Sequence, residues 1–398
     1  MSNRPFIGAR VEDAVHKRLN TTLRRRGWVP CVIGYRSYGS ATHLRVLGRV
    51  ILTSPPGRNP EQKRQPDRSP LTRRNLLSIE LLSQRGWRNF LGLPAPGAEV
   101  VVDFNGEKIT VRADRAGYVD VRIKNHGLQP GWHEVTLSTS GDTTTAKVLV
   151  VSRNTRFGII SDIDDTVIST SLPRSLIAAW NSFVLTEQAR KSIPGMARMY
   201  QKLLERHPDA PVVYVSTGAW NTYPFLVRFL ARHGYPQGPL LLTDWGPTNT
   251  GWFRSGVDHK RTALRELARD FPDIEWVLVG DDGQHDIRIY SEFDELQPGH
   301  TRAIAIRELS TTQQVLAHGT TTVLEDRHRV QWTPESAPLV RAPDGDQLAP
   351  LLDKVLNHED PPQPFTQHFS LANPAAAEPQ GPHNPAHATP AGLNTHTV

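Results

Sequence analysis

The chain has 398 residues, a formal net charge of +6 and 38% hydrophobic residues, which suits two ordinary domains with extensions. The mild basic excess favours anionic partners without singling one out. A single cysteine, Cys31, excludes an intrachain disulfide and a thiolate zinc cage, and no run of about 18 apolar residues offers a membrane span.

So little cysteine suits a reducing compartment, and the opening MSNRPFIGARVEDAV has no apolar leader core, so a cytoplasmic location is expected. Residues 9–26 read as a helix. Val11, Val15, Leu19 and Leu23 recur at every fourth position, while Arg10, His16, Lys17, Arg18, Arg24, Arg25 and Arg26 fill the other faces. Such a helix either docks on its own domain or lies on an anionic membrane; a narrow stripe without Trp or Phe favours docking. A Gly/Tyr-rich turn then leads into a strand over 34–52, and 54–76 is a polar loop broken by Pro and Arg. From Val100 the period becomes two. Val100, Val102 and Phe104 alternate up to Asn105-Gly106, a hairpin dipeptide, and Ile109 and Val111 continue beyond it. Val119, Val121 and Ile123 form another run, Val135 and Leu137 a further one, and Ala146 to Val151 the last. Short strands at this spacing suggest a small β-sandwich over 30–152, preceded by an N-terminal helical piece over 1–29. Nothing in this half looks catalytic.

The chemistry begins at Phe157 to Thr170, FGIISDIDDTVIST. Phe157, Ile159 and Ile160 read as a buried strand that ends where Asp162, Asp164 and Asp165 begin, with Thr166 next. Open α/β sheets bind ligands beyond the carboxyl ends of their strands. Carboxylates at i and i+2 on a strand end point to one side, so one can attack while the other exchanges protons. The plainer reading is an Asp-rich turn that caps the next helix.

From here strands alternate with helices, which implies a parallel sheet with right-handed crossovers. Pro194 to Arg206 is a helix entered through Pro, and Val212 to Val215 is a buried strand ending in Ser216 and Thr217. A hydroxyl and free N–H groups there suit a phosphate oxygen, or simply cap the helix Thr222 to His233. Lys260 opens the helix His259 to Asp270, where an ammonium could neutralise phosphate or merely face solvent. The strand Trp276 to Val279 runs into Gly280, Asp281 and Asp282, with Asp286 close behind. Oxygen-rich clusters of this type bind Mg2+, although an acidic turn is the bland alternative. Arg302 to Ile306 is one more strand, and the tail after His358 is disordered by composition.

In order, Asp162-Ile163-Asp164-Asp165-Thr166, Ser216, Lys260, and Asp281 with Asp282 and Asp286 resemble the motifs of the haloacid dehalogenase superfamily of phosphotransferases. DIDDTV, YVSTGAWN, PGMARMYQKLL, GDDGQHD and the front part GYRSYG…LRVLGRV are similar, more narrowly, to the actin-patch phosphatidate phosphatase family and its bacterial relatives, over roughly residues 10–325. The loop GDDGQHD departs from that family at Asp282, where Ser is usual.

The resemblance implies an α/β Rossmannoid parallel sheet of the haloacid dehalogenase type, preceded by the small β-sandwich. The implied layout is 1–29, 30–152, a catalytic part over 153–325, an extension over 326–358 and a Pro/Ala-rich tail over 359–398. It implies that Asp162 attacks phosphorus and forms an aspartyl-phosphate, and that Asp164 protonates the leaving alkoxide and then deprotonates water. Ser216 and Lys260 would hold the phosphoryl oxygens. Mg2+ would be held by Asp162, the Asp164 backbone carbonyl and Asp281, with Asp286, ahead of Asp282, orienting its waters. The implied reaction is phosphatidate to diacylglycerol, with no nucleic-acid partner. Neither 170–194 nor 234–257 is long enough to fold a separate cap over the site. An open site suits a large or surface-bound substrate, and Trp180 and Phe183 in the first linker either dip into an anionic membrane surface or pack on the sandwich. Two alternatives stay open: a phosphatase of phosphoproteins or small phosphomonoesters, and a membrane-binding module with vestigial catalysis.

Overall fold

The computed structural model describes residues 18–53, 93–169, 190–243, 256–283, 285–310, 313 and 336–357. All of these fall in one compact unit, Met1–Pro362. Of the expected N-terminal helix, residues 18–25 are helical and the earlier positions lie outside the described residues. Leu23 is buried among the β-strands, and the Asn20 side-chain amide donates to the Pro94 carbonyl at 3.1 Å, so this turn of helix docks on its own domain. Arg18, Arg24, Arg25 and Arg26 are exposed. The polar loop at 54–76, the linker with Trp180 and Phe183, and the tail after His358 also lie outside the described residues.

Eight strands follow the helix: β1 Val29–Tyr35, β2 Ser37–Gly39, β3 His43–Thr53, β4 Glu99–Phe104, β5 Glu107–Arg112, β6 Tyr118–Lys124, β7 Gly131–Ser138 and β8 Thr143–Val150. Their order is β1-β3-β2-β8-β7-β4-β5, with β6 on β3. Hydrogen bonding links all eight strands of the expected β-sandwich region into one continuous sheet. The short β2 makes the link, pairing antiparallel with β3 and parallel with β8. Asn105 and Gly106 take φ of 47° and 81°, the double left-handed turn that matches the twist of the β4–β5 hairpin. Strand β3 is apolar on both faces. Leu44, Val46, Val50 and Leu52 fill the core of the β half, whereas Leu47 and Ile51 enter a second core shared with the rest of the chain.

That second core belongs to a six-stranded sheet, β9 Phe157–Ser161, β10 Val212–Ala219, β11 Leu240–Thr243, β12 Glu275–Asp281, β13 Thr301–Arg307 and β14 Leu339–Ala342. Every pairing in it is parallel, and the order is β11-β10-β9-β12-β13-β14. Helices α1 Met196–Arg206, α2 Tyr223–Arg232, α3 Gly256–Asp270, α4 Asp286–Leu296 and α5 Gly345–Leu356 complete it. The chain leaves the central strand β9 toward one edge through β10 and β11, then returns to β9's other side with β12. The carboxyl end of β9 is therefore the point where strand order reverses, the place where open α/β sheets bind ligands. The strands are buried almost throughout, which explains their continuous apolar runs.

The sheet runs past residue 325. The stretch 326–358 supplies β14 at its edge, and α5 packs against α1. Four residues, LVRA, are too few for a periodic signal, and Pro350 interrupts the pattern of α5.

The two halves meet along helix α3 and the turn after β10. The Tyr38 hydroxyl donates to Asp270 at 2.9 Å, and Arg122 Nη1 donates to the same carboxylate at 2.7 Å. Arg45 Nη1 reaches Glu266 at 2.8 Å. The rings of Tyr35 and Trp220 stack with centroids 4.2 Å apart, and the Arg36 N–H donates to the Tyr223 hydroxyl at 2.8 Å.

Candidate active site

Strands β10, β9 and β12 lie side by side and parallel, so their carboxyl ends deliver Ser216, then Asp162 and Asp164, then Asp281 to one edge of the sheet. The registers Tyr214 with Ser161 and Val279 with Ser161 put all three ends level. The Asp162 N–H donates to the Val279 carbonyl at 2.8 Å, which continues the β9–β12 ladder up to the carboxylate itself. Helix α4 starts at Asp286, where a carboxylate is favoured by the helix dipole. Gly280 leaves room for it: a Cβ there would come within 2.5 Å of Asp286 Oδ2.

Carboxylate oxygens of Asp162, Asp281 and Asp286 all lie within 4.8 Å of one another, and all three residues are buried. Lys260, from the second turn of α3, extends into this cluster. Its Nζ is 2.7 Å from Asp162 Oδ1 and 2.5 Å from Asp286 Oδ1. Asp281 Oδ1 accepts from the Gly283 N–H at 2.6 Å, while Oδ2 is buried with no hydrogen-bond partner among the described residues. Thr166 Oγ1 donates to Asp162 Oδ2 at 3.4 Å. Three carboxylates thus face one ammonium in a site shielded from water.

Burial drives the electrostatics. It pushes the Asp162 carboxyl well above its ordinary range against the pull of Lys260, with Asp286 and Asp164 adding to the rise. Burial also pushes Asp281 up, reinforced by Asp286 and Asp162. For Lys260 burial favours the neutral amine, but Asp162 and Asp286 outweigh it and hold the proton more tightly than in free lysine. Such a cluster of hard oxygen donors with an orphaned carboxylate oxygen fits a small divalent cation.

Asp164 stands apart from the cluster, half-buried, and accepts from the Ser216 hydroxyl at 2.9 Å. Burial raises its pKa, and the Ser216 bond opposes the rise. Ser216 also accepts from the Gly218 N–H at 2.9 Å. Of the residues expected at the site, Asp162, Lys260, Asp281 and Asp286 meet directly, and Asp164 and Ser216 form an adjoining pair. Asp282 faces elsewhere. Its Oδ1 accepts from the Leu309 N–H at 2.8 Å and its Oδ2 from Arg341 of β14 at 3.2 Å.

Three residues not foreseen from the sequence border the site. The Tyr200 hydroxyl is 2.6 Å from Ser161 Oγ, beneath Asp162. Arg190 stands close enough for its charge to act on Asp164 and Asp165 and covers the Phe225 ring at 5.2 Å. Arg307, the last residue of β13, pairs in register with Asp281. A charged residue closing the apolar run TRAIAIR, level with an acid at the end of the neighbouring strand, was the signal available for it.

The model of the family described as phosphatidate phosphatase APP1, catalytic domain, matches residues 157–308. The curated phosphatidate phosphatase APP1 of Saccharomyces cerevisiae is 28% identical over 151 residues, 38% of this chain and 25% of that protein. An uncharacterized protein of Schizosaccharomyces pombe is 27% identical over 165 residues, 41% of this chain and 27% of its own. The chain thus spans about a quarter of the length of these relatives. Among solved structures, a putative beta-phosphoglucomutase from Thermotoga maritima aligns with a TM-score of 0.31 and 10% identity over 50% of this chain and all of that one, and the HAD domain of effector protein Lem4 from Legionella pneumophila with a TM-score of 0.27 and 15% identity over 43% of this chain and 93% of that one.

Proposed function

We propose, from the premise that residues 157–308 are a catalytic domain of the phosphatidate phosphatase APP1 family, that the chain is a Mg2+-dependent phosphatase that converts phosphatidate to diacylglycerol through an aspartyl-phosphate. The observation that carries this reading is the buried cluster of Asp162, Asp281 and Asp286 with Lys260, next to the Asp164–Ser216 pair.

In the first half-reaction an Asp162 oxygen bonds to phosphorus as the P–O bond to the glycerol oxygen breaks. Asp164 supplies the proton that the leaving alkoxide needs; its raised pKa suits a proton donor. In the second, Asp164 takes a proton from water, the water oxygen bonds to phosphorus, and the bond to Asp162 breaks, releasing phosphate. Splitting the hydrolysis in this way replaces one difficult displacement with two easier ones. Lys260 and the Ser216 hydroxyl would hold equatorial phosphoryl oxygens as charge spreads over them. Mg2+, held by Asp162, Asp281 and Asp286 with the Asp164 carbonyl, would offset the repulsion between carboxylate and phosphate dianion.

Intact acids, brought together and buried, weigh against a module with vestigial catalysis. The lipid rests on the family match and on linkers too short for a cap. No helix among the described residues is long and apolar enough to cross a membrane. The test is phosphate release with Mg2+ from phosphatidate vesicles, a phosphopeptide and a sugar phosphate, by the wild type and Asp162→Asn. The reading expects phosphatidate to lead and the variant to retain under about a hundredth of the rate. A sugar phosphate or phosphopeptide in first place would overturn the substrate, and an active Asp162→Asn the mechanism.

A further inference from the structure

Asp165 adopts φ of 55°, the left-handed region that residues with a Cβ rarely occupy outside Asn and Asp. It lies next to Asp164, inside the turn that follows β9. The rotation about its N–Cα bond sets the plane of the Asp164–Asp165 peptide, and with it the direction of the Asp164 carbonyl. Departures of this kind persist only where surrounding groups over-determine them, and they cluster at functional sites.

The surrounding groups are present. The Asp165 N–H donates to the Ile168 carbonyl at 2.8 Å, and the Val167 and Ile168 N–H groups both reach back to Ile163 at 2.9 and 3.0 Å. These bonds lie within the turn and could move with it. The bond from outside is Arg307, whose Nη1 donates to the Asp165 carbonyl at 2.7 Å across 142 residues of sequence. The same guanidinium donates through Nε to the Pro343 carbonyl at 3.1 Å and through Nη2 to Gln313 Oε1 at 2.9 Å. Arg307 is 6% exposed, and none of these three acceptors is a carboxylate. The carboxylates of Asp165, Asp281, Asp282 and Asp344 act on this charge through the field. The rigid fork of the guanidinium, in contrast, fixes three segments relative to one another: the catalytic turn, the chain after β13, and the connection from β14 to α5.

We propose that Arg307 is a positioning residue that clamps Asp165 in its left-handed conformation and so holds the Asp164 carbonyl and side chain in working orientation. The inference rests on the proposed phosphatase reading and adds to it a residue outside the four recognised motifs. It gives the C-terminal β14–α5 unit a part in holding the catalytic turn.

The experiment measures kcat and KM on a soluble phosphomonoester with Mg2+ for Arg307→Lys and Arg307→Gln, each in the wild-type and Asp165→Gly backgrounds. Lysine keeps the charge and loses the fork. Both single variants are expected to lose at least tenfold in kcat with KM within about twofold. In the Asp165→Gly background the further loss on changing Arg307 should shrink to threefold or less, since glycine takes positive φ without help. An equal loss in both backgrounds, or no loss in the single variants, overturns the clamp. A merely structural role would lower Tm in both backgrounds without this rescue.

Should the Arg307 variants fail to fold, Asp165→Asn and Asp165→Val decide the matter. Both remove the charge, but only valine resists positive φ, so Val should retain at most a tenth of the kcat of Asn. Equal kcat in the two overturns the clamp. Asp162→Asn is run alongside. If it stays active, the phosphatase chemistry fails; if it is dead while the Arg307 variants are fully active, the clamp alone fails.

Discussion

Lys260 Nζ lies 2.7 Å from Asp162 Oδ1, and this ammonium is the counter-charge at the centre of a buried triad of acids. Removing one partner from a buried ion pair leaves an uncompensated charge, at a cost of about 3–5 kcal/mol. Lys260→Met should therefore lower Tm by several degrees without divalent cations, and added Mg2+ should restore part of the loss. Phosphate release should fall by roughly 10²–10³-fold, the usual cost of losing one group that holds developing negative charge. Thermal unfolding of wild type and variant with and without Mg2+ is the measurement. A variant whose Tm neither falls nor responds to Mg2+ would remove the triad as a cation site.

Asp164, which accepts from the Ser216 hydroxyl, is the proton donor of the proposed reaction. Asp164→Asn should slow release from an alkyl phosphate such as glycerol phosphate by roughly 10²–10⁴-fold, the range of general acid–base catalysis. Its first step with nitrophenyl phosphate should suffer far less, because that leaving group barely needs a proton. Burst kinetics on the two substrates make the comparison. Equal defects on both would mean that Asp164 is not the acid.

The seam between the halves should make stability sensitive to acid. Burial alone would raise the pKa of Asp270, yet hydrogen bonds from His43, Arg122 and Tyr38 outweigh it and hold the carboxyl below its ordinary range. The folded pKa is thus below the unfolded value of about 3.9. As pH falls through that window the unfolded chain takes up the proton first, so the contribution is full above about pH 4 and lost progressively below it. Wild type should lose Tm below about pH 4 more steeply than Asp270→Asn, which carries no titrating group there. Parallel curves for the two proteins would show that Asp270 is not depressed.

Arg18, Arg24, Arg25 and Arg26 are exposed on or just after the helical turn that Leu23 anchors. Changing all four to Gln leaves that anchor in place. If the substrate is in an anionic bilayer, each basic residue near the surface adds about 1 kcal/mol of attraction, weakened by salt. Activity on phosphatidate vesicles should drop several-fold at low salt while a soluble phosphomonoester is turned over at the wild-type rate. Loss on both substrates would make the helix structural, and loss on neither would move membrane contact elsewhere.

Much of the site was legible because its signals are local. An apolar run that stops at an acid marks a strand end at Asp162 and again at Asp281. The strand before Ser216 and the helix bearing Lys260 were read in the same way, and all four elements occur with boundaries within a few residues of those expected. What periodicity lacks is who stands beside whom. GDDGQHD offers both Asp282 and Asp286, with Asp286 ahead, and no local pattern shows why: the start of α4 turns Asp286 to the cluster while Arg341 and the Leu309 N–H hold Asp282 away from it.

Local sequence was enough to show that three acids follow one buried strand, that a hydroxyl, a lysine and further acids follow later elements, and that strands alternate with helices. These are properties of neighbouring residues, written in hydrophobic period and charge. Tertiary structure alone decided that β10, β9 and β12 are adjacent, that β14 and α5 complete the sheet, that Tyr38 and Arg122 grip the far end of the helix carrying Lys260, and that Arg307 reaches Asp165. Each of these depends on sheet order. Strand pairing brings together groups more than a hundred residues apart, and no local pattern records which strand will be whose neighbour.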